Sequence, residues 1–342
     1  MKFAVSAWGD DVATSPPDKT WLFLVTDLLD KGWELVPINT PNYDIFVAIE
    51  HSRTNLKVVS RSNPRARKFL VATEPRMVHP DQYRVPVRRS YDHVWVRSSQ
   101  QSVLRNETVF GSVGLPKRDE VQFQQVDDPN PHRNIGAIGI VNENKSSFVP
   151  SSFYKFRKKL VRALSNSGFE VNVAGAGWDI GWRENIRRDG IALAYALSCR
   201  VVPALRMASA PLRENGKTLK IWGKVDSAIH FLSQNQFALV VENEMTYVSE
   251  KLFNAVLAGC IPLYVGPPLA EHGISANVAI QMPQSLKEFV KEFAGIRNGA
   301  FDEILSSGSA WIRDEETLNT WCVDSISGRL ATSIENQYLK HA

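Results

Sequence analysis

The chain has 342 residues, of which 44% are hydrophobic and 22% are charged, and its formal net charge is +4. Such a composition is typical of an ordinary globular protein and excludes a chain dominated by disorder. The length exceeds what one hydrophobic core usually supports, so we expect two domains. The charge is too small and too evenly spread to indicate a dedicated nucleic-acid-binding protein.

The cysteines and the first residues of the chain indicate where to expect the protein. The three cysteines lie far apart without a CxxC pair, at Cys199, Cys260 and Cys322. They predict neither a disulfide framework nor a zinc site. The first apolar run meets Asp10 and Asp11 too soon for a signal peptide, and no stretch approaches the roughly 20 apolar residues that span a bilayer. We expect a cytoplasmic protein with no transmembrane segment, for which peripheral membrane contact through the basic run at 61–68 stays open.

Short β-branched apolar runs alternate with helical or turn segments through the first third of the chain. This alternation predicts a parallel sheet covered by helices. We predict a helix over 21–31 that ends at Gly32, and strands over 2–6, 34–38, 45–49, 68–72 and 93–96. The polar, proline-containing stretch 121–134 predicts an interdomain linker.

A second alternating series follows the linker. We predict helices over 153–165, 225–233 and 247–258, and strands over 135–141, 170–173, 237–241, 261–265 and 278–281. Residues 182–207 match no pattern. The prediction is an α/β protein with two Rossmann-like βα domains facing a cleft, where open sheets present the carboxyl ends of their strands to ligands. The predicted boundaries are 1–125 for the acceptor-side domain, 135–305 for the donor domain and 306–342 for a C-terminal helical segment.

The stretch 237–268 has the richest chemistry: an apolar strand, a polar loop, an amphipathic helix and another strand. On a helix, Tyr247, Glu250 and Lys251 fall on one face, beside a helix N-terminus that attracts phosphate. Lys251 in the first turn opposes the helix dipole, which favours an anionic ligand there. From the residues alone, a solvated surface pair at Glu250 and Lys251, with Asn243 capping a turn, is an equally good interpretation.

The same stretch, FALVVENEMTYVSEKLFNAVLAGCIPLYVGPP, resembles the signature of the α-1,3-fucosyltransferases, glycosyltransferase family 10. That signature runs approximately F-x-L-x-F-E-N, Y-V-T-E-K-L, A-G and V-P-V-x-x-G-P. The chain departs from it at Val241, Ser249 and Ile261, and its 244–246 loop is shorter and less polar. The resemblance implies a GT-B-like fold and GDP-fucose as the donor substrate.

The resemblance also implies site residues. It places donor binding at Asn243, Tyr247, Glu250, Lys251 and Arg157. A further phosphate-binding residue falls on Arg213, with Lys217 as the competing choice. In the first domain, KFLVATEPRMVHP resembles the family strand that ends in an acid, which places the acceptor-activating base at Glu74. A loop acid beside Arg76 is the alternative for Glu74.

The implied reaction is inverting transfer of fucose to a hydroxyl group of a glycan, with an α-1,3-type linkage. No DxD-like pair stands out as a metal ligand set, so no cofactor is required and a divalent metal is optional. The expected partners are GDP-fucose and a glycan acceptor, with no nucleic acid. Two alternatives stay open: a transferase for another sugar nucleotide, since fold does not fix the donor, and a non-catalytic nucleotide- or carbohydrate-binding module.

Overall fold

The computed structural model describes residues 1–15, 22–75, 78–97, 104, 106–110, 113–124, 133–143, 152–179 and 212–340. The chain divides into two compact units, one of Met1–Arg118 with Asn319–Ala342 and one of Asp119–Leu318. The unpatterned stretch 182–207, the middle of the predicted linker at 125–132 and Cys199 lie outside the described residues. None of the described helices is long and apolar enough to cross a membrane.

Within its described residues the first unit contains a seven-stranded sheet in the order β2-β1-β4-β5-β6-β7, with β3 also paired to β1. Its strands are β1 Lys2–Ala7, β2 Asp10–Asp11, β3 Glu34–Leu35, β4 Ile45–Ile49, β5 Arg67–Ala72, β6 His93–Val96 and β7 Glu107–Val109. The pairing is parallel apart from the β1–β2 hairpin. The predicted parallel sheet is therefore confirmed.

Helices cover this sheet. They are α1 Leu22–Asp30, α2 Arg53–Ser62 and α3 Val85–Arg88, and α4 Arg118–Gln124 begins at the unit boundary. The C-terminal helix α11, Val323–Leu339, returns to the first unit and packs against α1. Its apolar residues Ile326, Leu330 and Ile334 repeat every four positions, which places one stripe of the helix in the core of this unit.

The second unit is a six-stranded sheet in the order β10-β9-β8-β11-β12-β13, with parallel pairing throughout its described strands. Its strands are β8 Asn134–Val141, β9 Val171–Ala174, β10 Leu219–Gly223, β11 Asn235–Val241, β12 Ile261–Val265 and β13 Ile280–Gln281. The helices are α5 Tyr154–Asn166, α6 Ala228–Ser233, α7 Glu250–Leu257, α8 Leu286–Ile296, α9 Asp302–Arg313 and, across the unit boundary, α10 Glu315–Trp321.

The structure differs locally from these expectations. Helix α7 begins at Glu250 rather than at 247, because the Ser249 side chain caps it by accepting from the Lys251 amide. Tyr247 therefore precedes the helix, and its predicted place on the helical face does not exist. Strand β10 and helix α2 were not predicted, although α2 is amphipathic, begins after a Ser52 cap and buries Val59.

Each sheet has a point where the strand order reverses. In the second unit the order runs from β8 towards β10 on one side and from β11 to β13 on the other. In the first unit β2 and β3 pair with one side of β1, while β4 to β7 extend from its other side. The carboxyl ends of the strands at such a reversal are where open α/β sheets bind ligands.

Candidate functional site

Polar residues follow β8 and β11 where the strand order of the second sheet reverses. Glu242 and Asn243 come directly after β11, and Asn142 comes directly after β8. The Asn142 carbonyl accepts from the Trp178 indole N–H at 2.6 Å, which fixes the end of β8. Its side-chain Oδ1 is buried and has no hydrogen-bond partner among the described residues. The carboxyl edge of this sheet is therefore lined with polar groups.

Arg157 in α5 joins this edge to the helix. Its Nη2 donates to the Val241 carbonyl and to Asn243 Oδ1, both at 2.8 Å, and its guanidinium lies over the Tyr154 ring at 5.3 Å. The Asn243 carbonyl in turn accepts from the Phe153 amide at 3.0 Å. The residue is only 2% exposed, and this burial lowers the pKa of the guanidinium.

Asn243 connects Arg157 to Tyr247. Its Nδ2 donates to the Tyr247 hydroxyl at 2.9 Å, while its Oδ1 accepts from Arg157. The Tyr247 side chain is buried, and Asn243 itself is partly exposed. Three of the residues that the resemblance implies thus form one hydrogen-bonded chain at the strand end, and one of them, Arg157, is distant from the other two in sequence.

Lys251 lies within a second, adjoining group. Its Nζ is 3.3 Å from Glu242 Oε2 and 2.8 Å from Ser249 Oγ. Glu242 is fully buried and also accepts from the Ser249 amide at 2.8 Å and from the Ser249 hydroxyl at 2.5 Å. An anionic ligand was one of two interpretations of this lysine. The structure supplies a further reason for it, because a buried carboxylate requires a compensating charge.

Glu250 takes a different position from its neighbour. Its side chain is 56% exposed, and its Oε1 is 4.0 Å from Lys251 Nζ. It therefore stands on the solvent side of the same ion-pair group, where a carboxylate can accept hydrogen bonds from the hydroxyl groups of a sugar.

Two residues of this group were missed by sequence reasoning. The Tyr264 hydroxyl is buried without a hydrogen-bond partner among the described residues. Burial first, and then the charge of Glu242, raises the pKa of this phenol. Gly266 lies so close that any side chain there would collide with the Tyr264 hydroxyl and with Glu242 Cγ. Glycine and proline in the matched 261–268 stretch were the only sequence signal for this packing.

Of the two candidates for a further phosphate contact, Lys217 lies away from this group, whereas Arg213 lies near the carboxyl edge of the sheet. Lys217 is exposed on the loop that enters β10, where Thr218 Oγ1 is 2.9 Å from Ser165 Oγ near the end of α5. Asn243 bonds Phe153, which lies just before the start of α5. Helix α5 has 13 residues and spans about 20 Å, so its two ends lie far apart. Lys217 is thus at the opposite edge of the sheet. Arg213 is exposed beside Leu212, whose amide bonds the Trp178 carbonyl near β9.

Glu74 follows β5 in the first unit and is partly exposed. Its backbone is held on both sides: the amide donates to Glu50 Oε1 at 2.8 Å, and the carbonyl accepts from Gln82 Nε2 at 2.9 Å and the Tyr83 hydroxyl at 2.8 Å. The backbone that carries this carboxyl group is therefore anchored at a strand end, as expected of a general base. Arg76, the alternative partner, lies outside the described residues.

Glu50, at the end of β4, was not predicted. It is fully buried, and its backbone is left-handed with φ +65. Its Oε1 accepts three hydrogen bonds, from the Thr73 amide at 2.6 Å, the Thr73 hydroxyl at 2.5 Å and the Glu74 amide. Burial raises the pKa of this carboxyl to about 7. The sequence signal that could have identified Glu50 is an acid directly after the apolar run of β4, in IFVAIEH. The same pattern places Glu74 after the apolar run of β5, in FLVATE.

No protein-family model matches the sequence, and no curated protein is significantly similar to it. Solved structures are similar at low identity. HepE of Anabaena with UDP and glucose has a TM-score of 0.58 at 12% identity, covering 98% of this chain and 99% of that one. An α1,3-fucosyltransferase has a TM-score of 0.57 at 14% identity, covering 99% of this chain and 90% of that one. A glycosyltransferase from Rickettsia africae has a TM-score of 0.55 at 12% identity, covering 100% of this chain and 99% of that one. The chain therefore has the GT-B fold of glycosyltransferases, with two Rossmann-like units built on parallel sheets.

Proposed function

We propose that the chain is an inverting glycosyltransferase that moves fucose from GDP-fucose to a hydroxyl group of a glycan in an α-1,3-type linkage. The observation that carries the proposal is the hydrogen-bonded chain Arg157–Asn243–Tyr247 where the second sheet reverses its strand order. These residue types at this place suit a nucleotide diphosphate. The similarity of fold to an α1,3-fucosyltransferase that was also solved with GDP supports the donor class.

The charges of the second unit suit a diphosphate. The hydrogen bonds of Arg157 go to neutral acceptors, a carbonyl and an amide oxygen, so its positive charge is not cancelled by those partners. A buried charge without a directly bound counter-ion is unfavourable, and an anionic ligand nearby would relieve that cost. Asn243 and Lys251 are the partly exposed members of the group through which a ligand would make contact.

In the proposed reaction, Glu74 takes the proton of an acceptor hydroxyl group while that oxygen forms a bond to the anomeric carbon of fucose. The bond from this carbon to the β-phosphate oxygen breaks, and GDP leaves with the bonding electrons. Lys251 and the positive end of the α7 dipole stabilise the charge that grows on the phosphate. Loss of one such contact typically lowers the rate by about 100-fold or more.

The described part of the chain contains no group of three His, Cys, Asp or Glu residues that could hold a metal ion. We assign the stabilisation of the leaving diphosphate to cationic side chains and the N-terminal end of α7, and a divalent metal stays optional in this proposal.

A transferase for a UDP-linked sugar is the second candidate. Two structures of similar fold, HepE and the pneumococcal O-GlcNAc transferase GtfA, carry UDP. Titration calorimetry with GDP and with UDP separates the two candidates. We expect GDP to bind at least 10-fold more tightly, a difference of about 1.4 kcal/mol. Tighter binding of UDP would replace the proposed donor.

A second measurement tests the reaction itself. GDP release is followed with GDP-fucose, and separately with GDP-mannose, in the presence and absence of a glycan panel. We expect release from GDP-fucose that a suitable glycan accelerates. A protein that binds neither nucleotide and releases no GDP under any of these conditions contradicts the proposal that it is a transferase.

A further inference from the structure

Trp8 occupies an unusual place in the first unit. It forms, with Gly9, the two-residue turn between β1 and β2, because Ala7 pairs with Asp10. Both turn residues have a left-handed backbone, with φ +49 at Trp8 and +99 at Gly9. Such a hairpin turn favours Asn, Asp or Gly in its first position, and a bulky side chain there is strained.

Neither packing nor turn chemistry explains the tryptophan. Its side chain is 47% exposed, so the core does not require it. A single exposed apolar residue on a surface needs no explanation, but one held in a strained conformation does. The combination of exposure and strain indicates that the indole serves a ligand.

The turn is fixed from several sides. The Trp8 amide donates to the Ile49 carbonyl at 3.0 Å, and Asn55 Nδ2 donates to the Gly9 carbonyl at 2.8 Å and to Ser6 Oγ at 2.7 Å. The backbone beneath the indole is therefore anchored to the neighbouring strand and helix. Preorganised aromatic side chains lose little conformational freedom when they bind.

The location also suits a ligand. Trp8 follows β1 at the reversal of strand order in the first sheet, in line with Glu50 at the end of β4. Strand β5, which leads to Glu74, is the second neighbour of β1 at about 10 Å. Two linked sugar rings cover such a span. Asp10, next to the turn, is exposed and supplies carboxylate oxygens that accept from hydroxyl groups.

We propose that the Trp8 indole is a stacking platform for a sugar ring of the acceptor glycan, with Asp10 accepting from its hydroxyl groups. The inference rests on the proposed function, since it names a contact of the acceptor in the same reaction. The apolar C–H face of a pyranose ring packs on an aromatic plane while its hydroxyl groups reach polar neighbours. A preformed aromatic surface with a few polar groups beside it is the usual composition of such a site.

The decisive variant is Trp8→Asn. Asn is favoured in this turn, so the variant is expected to be at least as stable as the parent in thermal unfolding. Fluorescently labelled parent and variant are applied to an array of defined glycans. The parent should bind at least one glycan, and Trp8→Asn should bind it about 10-fold or more weakly. Trp8→Phe, which keeps a ring, should fall between them.

Trp222→Ala is the matched control. Trp222 is 55% exposed in β10 of the second unit and has no assigned role in the proposed site. The Trp222→Ala variant should bind the glycans of the array as the parent does. Equal glycan binding by the parent and Trp8→Asn, or no glycan binding by the parent, would overturn the proposal.

Two further readouts separate this inference from the proposed function. GDP binding in calorimetry should be the same in the parent and in Trp8→Asn. If the parent binds glycans through Trp8 but never releases GDP from GDP-fucose, the transferase proposal fails and the stacking platform stands. If Trp8→Asn transfers fucose with an unchanged acceptor KM, the transferase proposal stands and the stacking platform fails.

Discussion

The Glu50 side chain accepts a hydrogen bond from the Glu74 backbone amide at 2.8 Å, so the acid that ends β4 anchors the acid that follows β5. Glu50 is buried and its pKa is raised to about 7, whereas Glu74 is partly exposed. Two carboxyl groups at neighbouring strand ends therefore have different environments. Glu50 holds the backbone of Glu74, and the partly exposed Glu74 carboxyl group is accessible to a substrate.

The raised pKa of Glu50 predicts a pH-dependent stability. The folded chain keeps a proton on Glu50 up to about pH 7, whereas the unfolded chain releases it near pH 4.5. The contribution of Glu50 to stability therefore falls as pH rises from about 4.5 to 7. Relative to Glu50→Gln, the parent should lose on the order of 3 kcal/mol in urea unfolding between pH 4.5 and 8. The exposed Glu292→Gln is the control, and a parent that tracks Glu50→Gln across the window contradicts the prediction.

Lys251 is expected to contribute to stability as well as to transfer. Lys251→Met leaves the Glu242 carboxylate buried without its counter-charge, which should lower the free energy of unfolding by about 3 kcal/mol. Adding Glu242→Gln should restore most of that stability without restoring transfer. Chemical denaturation and GDP release from GDP-fucose report the two effects separately. Recovery of transfer in the double variant would show that Lys251 serves only the ion pair.

Glu74→Gln tests the proposed base. The backbone contacts that hold this residue involve its amide and carbonyl, which the substitution keeps, so the fold should be unchanged. We expect GDP binding to match the parent while transfer falls by about 100-fold or more, since proton transfer is lost. Calorimetry and a transfer assay measure the two quantities. Parental transfer rates in Glu74→Gln would remove the residue from this role.

Gly266→Ala should disturb the donor region through packing alone. The added methyl group would meet the Tyr264 hydroxyl and Glu242 Cγ, so we expect a loss of about 1–3 kcal/mol of stability and weaker GDP binding. Gly295→Ala is the matched control, since Gly295 lies within α8 and a methyl group there meets nothing within 4 Å. That variant should be more stable by up to about 1 kcal/mol. Thermal unfolding ranks the three proteins, and a Gly266→Ala as stable as the parent contradicts the expected clash.

Local sequence determined most of the fold. Apolar runs such as IFVAI and IPLYV have the length and the composition of a buried parallel strand. The structure has strands at Ile45–Ile49 and Ile261–Val265, as predicted. The polar stretch from Glu242 to Lys251 was recognisable because its residue types and spacing lie within one short segment. These features depend on side chains near each other in sequence, which hydrophobic periodicity and motif spacing record directly.

Only the tertiary structure decided which distant residues meet. Strand order and register bring Glu50 to the Glu74 amide, bring Arg157 to Asn243 and set Lys217 at the far edge of its sheet. The left-handed turn at Trp8 likewise follows from the pairing of β1 with β2. The order of strands in a parallel sheet results from packing between segments separated by long crossovers, and no local pattern of residues records it.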